Sequence, residues 1–201
     1  MTRFVLLLLM LTTLGCERLE LTPEPEVDAG VMADGGASRP RFVTTAFDGG
    51  FLTIAQATDE VNFIAFDLDH AEEVPFVDEK WDLAFRRQRV RLRGGANGDG
   101  GVAAVPLVDA GFAEVTTAPD AGYLVDLPDG PDDNTEPDTV FENAETWYSY
   151  NPMTHVLTPR PIVYVVKSDE GQFFKVSLSA YYDKAGTPAV LELRWAKVMA
   201  P

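Results

Sequence analysis

The chain has 201 residues, 46% of them hydrophobic, and this length suits one domain of ordinary size. Its 32 Asp and Glu against 16 Lys and Arg give a net charge of −16, which argues against binding nucleic acid or anionic lipid by charge. One cysteine and two histidines exclude a disulfide framework, a multi-cysteine metal site and a three-histidine zinc centre.

Residues 1–15 have the pattern of a lipoprotein signal peptide. Arg3 supplies a positive charge, residues 4–14 are an apolar run too short to span a bilayer, and Gly15 is small. The string that ends in Cys16 resembles a bacterial lipobox, in which signal peptidase cuts before the cysteine and the cysteine receives lipid such as palmitate. The alternative for this lone cysteine is a free buried thiol.

The lipobox predicts that Cys16 anchors the mature chain to a membrane without spanning it. Glu17 stands where an Asp would signal retention at the inner membrane, so we predict attachment to the outer membrane of a Gram-negative cell. Residues 16–40 are mainly acidic, contain Pro and Gly and lack apolar periodicity, which predicts a flexible, disordered tether. Residues 41–201 remain as a single folded domain.

The apolar pattern of this domain has period two, which predicts an all-β fold of mainly antiparallel strands. Its strongest predicted elements are strands at 61–66, 88–93 and 189–198 and a hairpin at 162–182 that turns at 168–171. Only a short helical turn near residues 55–60 interrupts this pattern. We expect the inward faces to include Trp81, Leu83, Phe85, Val163 or Tyr164, Val176, Leu178 and Trp195.

Three segments between the strands are predicted to be loops, namely 94–101, 128–146 and 147–161. The second carries seven acidic residues and no basic residue. Its stretch 129–134 offers oxygen ligands suited to calcium, although it lacks the ordered spacing of an EF-hand. The third loop is rich in aromatic residues and proline and contains His155.

An arginine run lies at residues 86–93, and strand alternation would place four of its members on one face. These four are Arg87, Arg89, Arg91 and Arg93. Such a row could bind the carboxylates of a ligand or an acidic partner. We favour the alternative, in which the arginines pair with the abundant Asp and Glu of the same domain.

The most distinctive string of the chain is Trp81–Arg86, followed by a glycine-rich turn that ends at Gly100-Gly101-Val102. Further along come Trp147-Tyr148-Ser149-Tyr150, Thr154-His155, Thr158-Pro159, Tyr164-Val165-Val166, Lys175 and Tyr181-Tyr182-Asp183. In this order and spacing, the residues resemble the HmuY family of secreted haem-binding lipoproteins. The resemblance covers roughly residues 43–198. It implies a mostly β domain at the outer membrane that captures haem for iron acquisition.

Haem binding would require axial iron ligands, which the resemblance places in the loops of the second half of the domain. Segment 128–146 holds neither His nor Met, whereas segment 147–161 offers His155 and Met153. We predict His155 as the dominant iron ligand, with Met153, Tyr148 or Tyr150 as candidates for the second position. His155 could also be an ordinary loop histidine, and Met153 an ordinary packing residue.

The other histidine, His70, is predicted to lie on the surface, outside the ligand segment. No Gly-x-Ser-x-Gly elbow, Walker loop or His-Glu-x-x-His motif is present, so we predict a protein that is not an enzyme. The sequence therefore predicts a surface binding module for haem or a related porphyrin, with haem or a haem-carrying protein as its partner. The alternatives are a structural or interaction lipoprotein that lost the haem ligands, and a calcium-stabilised surface module.

Overall fold

The computed structural model describes residues 40–131 and 135–201. The predicted signal peptide, Cys16 and nearly all of the predicted tether lie outside this part of the chain. Its strands are β1 Phe42–Phe47, β2 Gly50–Gln56, β3 Ile64–Asp67, β4 Glu72–Val74, β5 Leu83–Arg86, β6 Arg89–Leu92, β7 Ala103–Leu107, β8 Tyr148–Asn151, β9 Val156–Pro159, β10 Val163–Lys167, β11 Phe173–Tyr182 and β12 Pro188–Lys197. One π-helical turn occupies Val140–Ala144. Within the described ranges, no helix is long and apolar enough to cross a membrane.

The strands form two larger sheets and a separate hairpin. The first sheet has the order β1-β2-β12-β11-β10-β7, and the second has the order β4-β3-β5-β6. Within residues 40–131 and 135–201, strands β8 and β9 pair only with each other. Every pairing between these strands is antiparallel, which confirms the predicted all-β class.

The main core lies between the two larger sheets and includes residues of both. Phe66 of the second sheet meets Trp195 of the first, with ring centroids 5.9 Å apart. Every residue that we expected to face inward is buried. Both Val163 and Tyr164 are buried because strand β10 is covered on both faces. Tyr164 belongs to the main core, and Val163 belongs to a smaller cluster on the outer face.

Two predicted elements differ from the structure between the end of β2 and the start of β3. The helical turn expected at residues 55–60 is wrong, because Ala55 and Gln56 are the end of β2 and pair with β12. The strand expected at 61–66 begins only at Ile64. The Asp59 carboxylate accepts hydrogen bonds from the backbone N–H groups of Val61 and Asn62, which holds these residues in a turn.

Candidate functional site

Segment 147–161, which we predicted to be a loop, is a β-hairpin. Strands β8 and β9 pair with Asn151 opposite Val156 and Tyr150 opposite Leu157. Each strand has only four residues, none of them fully buried, and β9 ends at Pro159. A hairpin this short is not stable alone, so contacts with the rest of the domain have to support it.

Those supporting contacts lie at the base of the hairpin. Trp147 is 1% exposed, and its indole N–H donates to the backbone carbonyl of Gln88 at 3.0 Å. The backbone N–H of Leu157 donates to the Tyr182 hydroxyl at 3.2 Å. These contacts join the hairpin to the β5–β6 turn and to the end of β11, while its tip stays exposed.

The tip is organised by Asn151, a residue that the sequence did not single out. Its side-chain oxygen accepts hydrogen bonds from the backbone N–H groups of Met153 and Thr154, at 2.9 and 3.2 Å. Its backbone carbonyl accepts one from the N–H of His155 at 2.8 Å. His155 adopts a left-handed conformation with φ of 57°, which costs a residue with a side chain about 1–2 kcal/mol. The turn therefore fixes the backbone from which the imidazole projects.

The tip brings Tyr150 and His155 together. The Tyr150 hydroxyl lies 2.5 Å from Nδ1 of His155, and both side chains are exposed. Among the described residues, no protein group bonds to Nε2 of this imidazole. In the tautomer that carries its proton on Nδ1, His155 donates to the tyrosine oxygen, and the Nε2 lone pair points to solvent. Metal-bound histidines are held in this way, by a hydrogen bond at the nitrogen that does not bind the metal.

The other two candidate ligands have different surroundings. Met153 is 87% exposed in the same turn. Tyr148 is half-buried, and its ring packs edge-on against Trp147 with centroids 5.1 Å apart. Burial and the nearby Glu142 carboxylate raise the pKa of Tyr148 to about 12, which disfavours the phenolate that binds iron. The structure thus pairs Tyr150 with His155 and places Tyr148 at the edge of the core.

The arginine run pairs with carboxylates of the domain itself, which confirms the interpretation that we favoured. Arg86 and Arg91 contact the two carboxylate oxygens of Glu136 at 2.7 and 2.5 Å. Arg89 approaches Glu142 at 3.5 Å. The predicted row is shorter than expected, because Arg87 lies in the turn between β5 and β6. The acidic segment 128–146 therefore supplies counter-charges for the arginines.

Two further predictions concern His70 and the stretch 129–134, which offers oxygen ligands suited to calcium. His70 is a surface residue, as predicted, with 57% of its side chain exposed and Nδ1 3.0 Å from the Asp67 carboxylate. The stretch 129–134 lies partly outside the described residues, so its proposed affinity for calcium stays a prediction.

A family model for the HmuY protein matches residues 57–195, well over half of the chain. The chain belongs to the HmuY family. This assignment confirms the family that the motifs indicated, and the match includes both the Trp81–Arg86 string and the hairpin. No curated protein sequence matches the chain.

Three solved structures share the HmuY-like fold at low sequence identity. A HmuY-like protein from Bacteroides vulgatus, which carries the name heme binding protein, is 18% identical with a TM-score of 0.59 over 78% of this chain and 96% of its own. The apo HmuY analogue from Tannerella forsythia is 14% identical with a TM-score of 0.59 over 78% and 96%. A Bacteroides fragilis protein named as a lipoprotein is 14% identical with a TM-score of 0.60 over 79% and 95%. At these identities, the likeness shows the fold alone.

Proposed function

We propose that this HmuY-family chain is a surface binding module that captures haem or a related porphyrin, with His155 as the axial iron ligand. The observation that carries the proposal is the pairing of Tyr150 with His155 at an exposed hairpin tip. This hydrogen bond orients the imidazole and leaves Nε2 accessible to an iron that approaches from solvent. Membership of the HmuY family supports haem as the ligand.

The hairpin also offers apolar surface to a porphyrin plane. Tyr150, Met153 and Val156 are exposed by 50%, 87% and 42%. A flat apolar ligand that lies on these side chains removes their surface from water, which favours binding at about 25 cal/mol per Å² of buried apolar area. Haem would therefore be held by iron coordination together with contact to the hairpin.

The second axial position of the iron is the incomplete part of this site. Segment 128–146 contains no His or Met. Tyr150 cannot coordinate the opposite face of the haem while its hydroxyl stays bonded to His155. We therefore propose an iron that is five-coordinate or completed by water, with Met153 as the remaining protein candidate.

Titration with hemin tests this proposal. Binding should shift the Soret band of the wild-type protein, and His155→Ala should abolish the shift because the axial nitrogen is lost. His70→Ala is the matched control and should leave the shift unchanged, because His70 lies outside the hairpin. Tyr150→Phe should retain the shift with an affinity lower by about 10- to 100-fold, the usual effect of losing an outer-sphere partner.

The same titration distinguishes the alternative in which the protein binds no haem. A wild-type protein that never shifts the hemin spectrum would favour an interaction lipoprotein that kept the fold and lost the ligand. An unchanged spectrum and affinity in His155→Ala would remove His155 from the site.

We also propose that Cys16 carries the lipid that attaches this module to the outer membrane. Mass spectrometry of membrane-purified protein should find a mature chain that begins at Cys16 with a diacylglyceryl or triacyl modification. Cys16→Ser should abolish the lipid and release the protein from the membrane fraction. A native form that begins at another residue and carries no lipid would contradict this proposal.

A further inference from the structure

Three aspartates meet at the side of the second sheet where β3 ends and β5 begins. Asp67 ends β3, Asp69 follows two residues later, and Asp82 precedes β5. Because β3 and β5 are antiparallel, with Phe66 opposite Leu83, residues distant in sequence become neighbours here. Each aspartate offers one carboxylate oxygen, and these three oxygens all lie within 4.8 Å of one another. Asp67 and Asp82 are 5% and 0% exposed.

Two of the carboxylates accept hydrogen bonds from backbone N–H groups, whereas the oxygens of the third make no hydrogen bond in the described part of the chain. Asp82 accepts hydrogen bonds from the backbone N–H groups of Leu68 and Asp169, at 2.8 and 3.0 Å. Asp67 accepts one from the backbone N–H of His70 and contacts its Nδ1, both at 3.0 Å. Both oxygens of Asp69 are shielded from solvent and make no hydrogen bond among the described residues, although the Ser168 hydroxyl lies nearby and Asp69 as a whole is only partly buried. A buried carboxylate without a partner is costly, because it loses its hydration and gains nothing in exchange.

The local charge is strongly negative. Asp169 and Glu170 lie beside the cluster, so that the acids outnumber the basic groups that contact them. His70 lies 3.0 Å from Asp67 and 3.9 Å from Glu170. Arg93 lies 3.3 Å from Asp169. Burial and the neighbouring carboxylates raise the pKa of Asp69, and the nearby Ser168 hydroxyl opposes this shift. A bound cation would offset the repulsion among these carboxylates and would provide a partner for the Asp69 oxygens.

We propose that Asp67, Asp69 and Asp82 bind a hard divalent cation, with Ca²⁺ as the ion that fits best. All three donors are carboxylate oxygens, the ligands that Ca²⁺ prefers. At about 2.3–2.6 Å from Ca²⁺, two ligand oxygens can lie up to about 5 Å apart. The Asp69 carboxylate, whose oxygens make no hydrogen bond among the described residues, supplies one oxygen to the ion, as Asp67 and Asp82 do.

The surroundings of the cluster indicate how an ion would reach it and how a bound ion would affect the stability of the domain. A cavity of about 360 Å³ beside the cluster is lined by Asp67, His70, Glu72, Lys80, Asp169 and Glu170. Asp67 is the one proposed ligand that lines this cavity, so an ion and its coordinating water would approach the cluster from the Asp67 side. Asp82 already joins the second sheet to the β10–β11 turn through the N–H of Asp169. Bound Ca²⁺ would therefore stabilise the contact between the two sheets, independently of the proposed haem site.

Thermal unfolding of the chelator-treated full chain tests this site, with calcium chloride as the probe. The melting temperature of the wild type should rise with calcium concentration up to about 10 mM, because the ion binds the folded state. Asp69→Asn should lose this response and, in chelator, should be at least as stable as the wild type because it removes a buried charge. Asp129→Asn is the matched control for the stretch 129–134 and should respond like the wild type.

Luminescence of bound Tb³⁺, which stands in for Ca²⁺, provides a second measurement. Trp81 adjoins Asp82 and is 3% exposed, so its excitation should sensitise the emission. Asp69→Asn should weaken Tb³⁺ binding by more than about tenfold, because loss of even an outer-sphere partner costs that much. A wild type that shows neither a thermal response nor sensitised emission would overturn the proposal. Equal responses from Asp69→Asn and the wild type would also overturn it.

Discussion

Replacing Trp195 with alanine is expected to lower the free energy of unfolding by about 3–5 kcal/mol. Trp195 is 2% exposed, and its ring lies between the two larger sheets. Its centroid lies 4.6 Å from that of Phe51 and 5.9 Å from those of Phe66 and Phe174. Alanine leaves a cavity at the point where these rings meet, and the surrounding strands cannot close it without breaking their own pairing.

The conservative variant separates packing from hydrogen bonding at this position. The indole N–H of Trp195 donates to the Thr53 hydroxyl at 2.8 Å, and that hydroxyl also bonds to Thr44 at 2.8 Å. Trp195→Phe keeps an aromatic ring and loses this donor, so it should cost only about 1–2 kcal/mol. Equilibrium unfolding in urea measures both costs. A cost below about 1 kcal/mol for the alanine variant would contradict the central packing role of this ring.

Replacing Asp126 with alanine is expected to lower the free energy of unfolding by about 2–5 kcal/mol at mildly acidic pH. Its buried carboxylate accepts hydrogen bonds from the backbone N–H groups of Leu92 and Val140, at 2.8 and 2.9 Å. It also accepts one from the side-chain amide of Asn97 at 2.7 Å. Alanine leaves two buried N–H groups without an acceptor, each at a cost of about 1–3 kcal/mol. The contact between β6 and the π-helical turn should weaken as a result.

The cost of Asp126→Ala should fall as the pH rises. Burial raises the pKa of Asp126 to about 6, and the hydrogen bonds from Val140 and Leu92 offset only part of this shift. A carboxyl whose pKa is higher in the folded state stabilises the fold at low pH, and this contribution is lost as the pH rises through the folded value. Urea unfolding at about pH 5 and about pH 7.5, with Asp126→Asn as the control that does not titrate, measures the trend. A cost that grows with pH would contradict the direction of the shift.

The sequence predicts best those strands in which apolar and polar residues alternate clearly, so that no knowledge of tertiary contacts is needed. In segment 88–93, Val90 and Leu92 are both fully buried and alternate with arginines, so the period of two is visible directly. The hairpin at 148–159 lacks that signal, because its short strands are mostly exposed and depend on contacts with Gln88 and Tyr182. Such distant contacts are invisible in a local pattern.

The same distinction applies to the candidate sites. His155 and Tyr150 could be named from the sequence as separate candidates, but their pairing depends on a turn held by the Asn151 side chain. The aspartate cluster escaped notice because Asp82 lies far along the chain from Asp69 and reaches it only through the pairing of β3 with β5. Composition reveals an excess of acids, and only the sheet register shows which of them converge.

Coordination of haem iron by His155 is the central claim, and the small number of histidines permits a direct measurement. The chain has two histidines, so His70→Ala leaves His155 as the only imidazole. This variant can be produced with isotopically labelled histidine nitrogen and then loaded with hemin. Pulsed electron paramagnetic resonance then detects the coupling between the unpaired electrons of the iron and nearby nitrogen nuclei. The account predicts strong coupling of the iron to one labelled imidazole nitrogen. Bound hemin without any coupling to labelled nitrogen would contradict it.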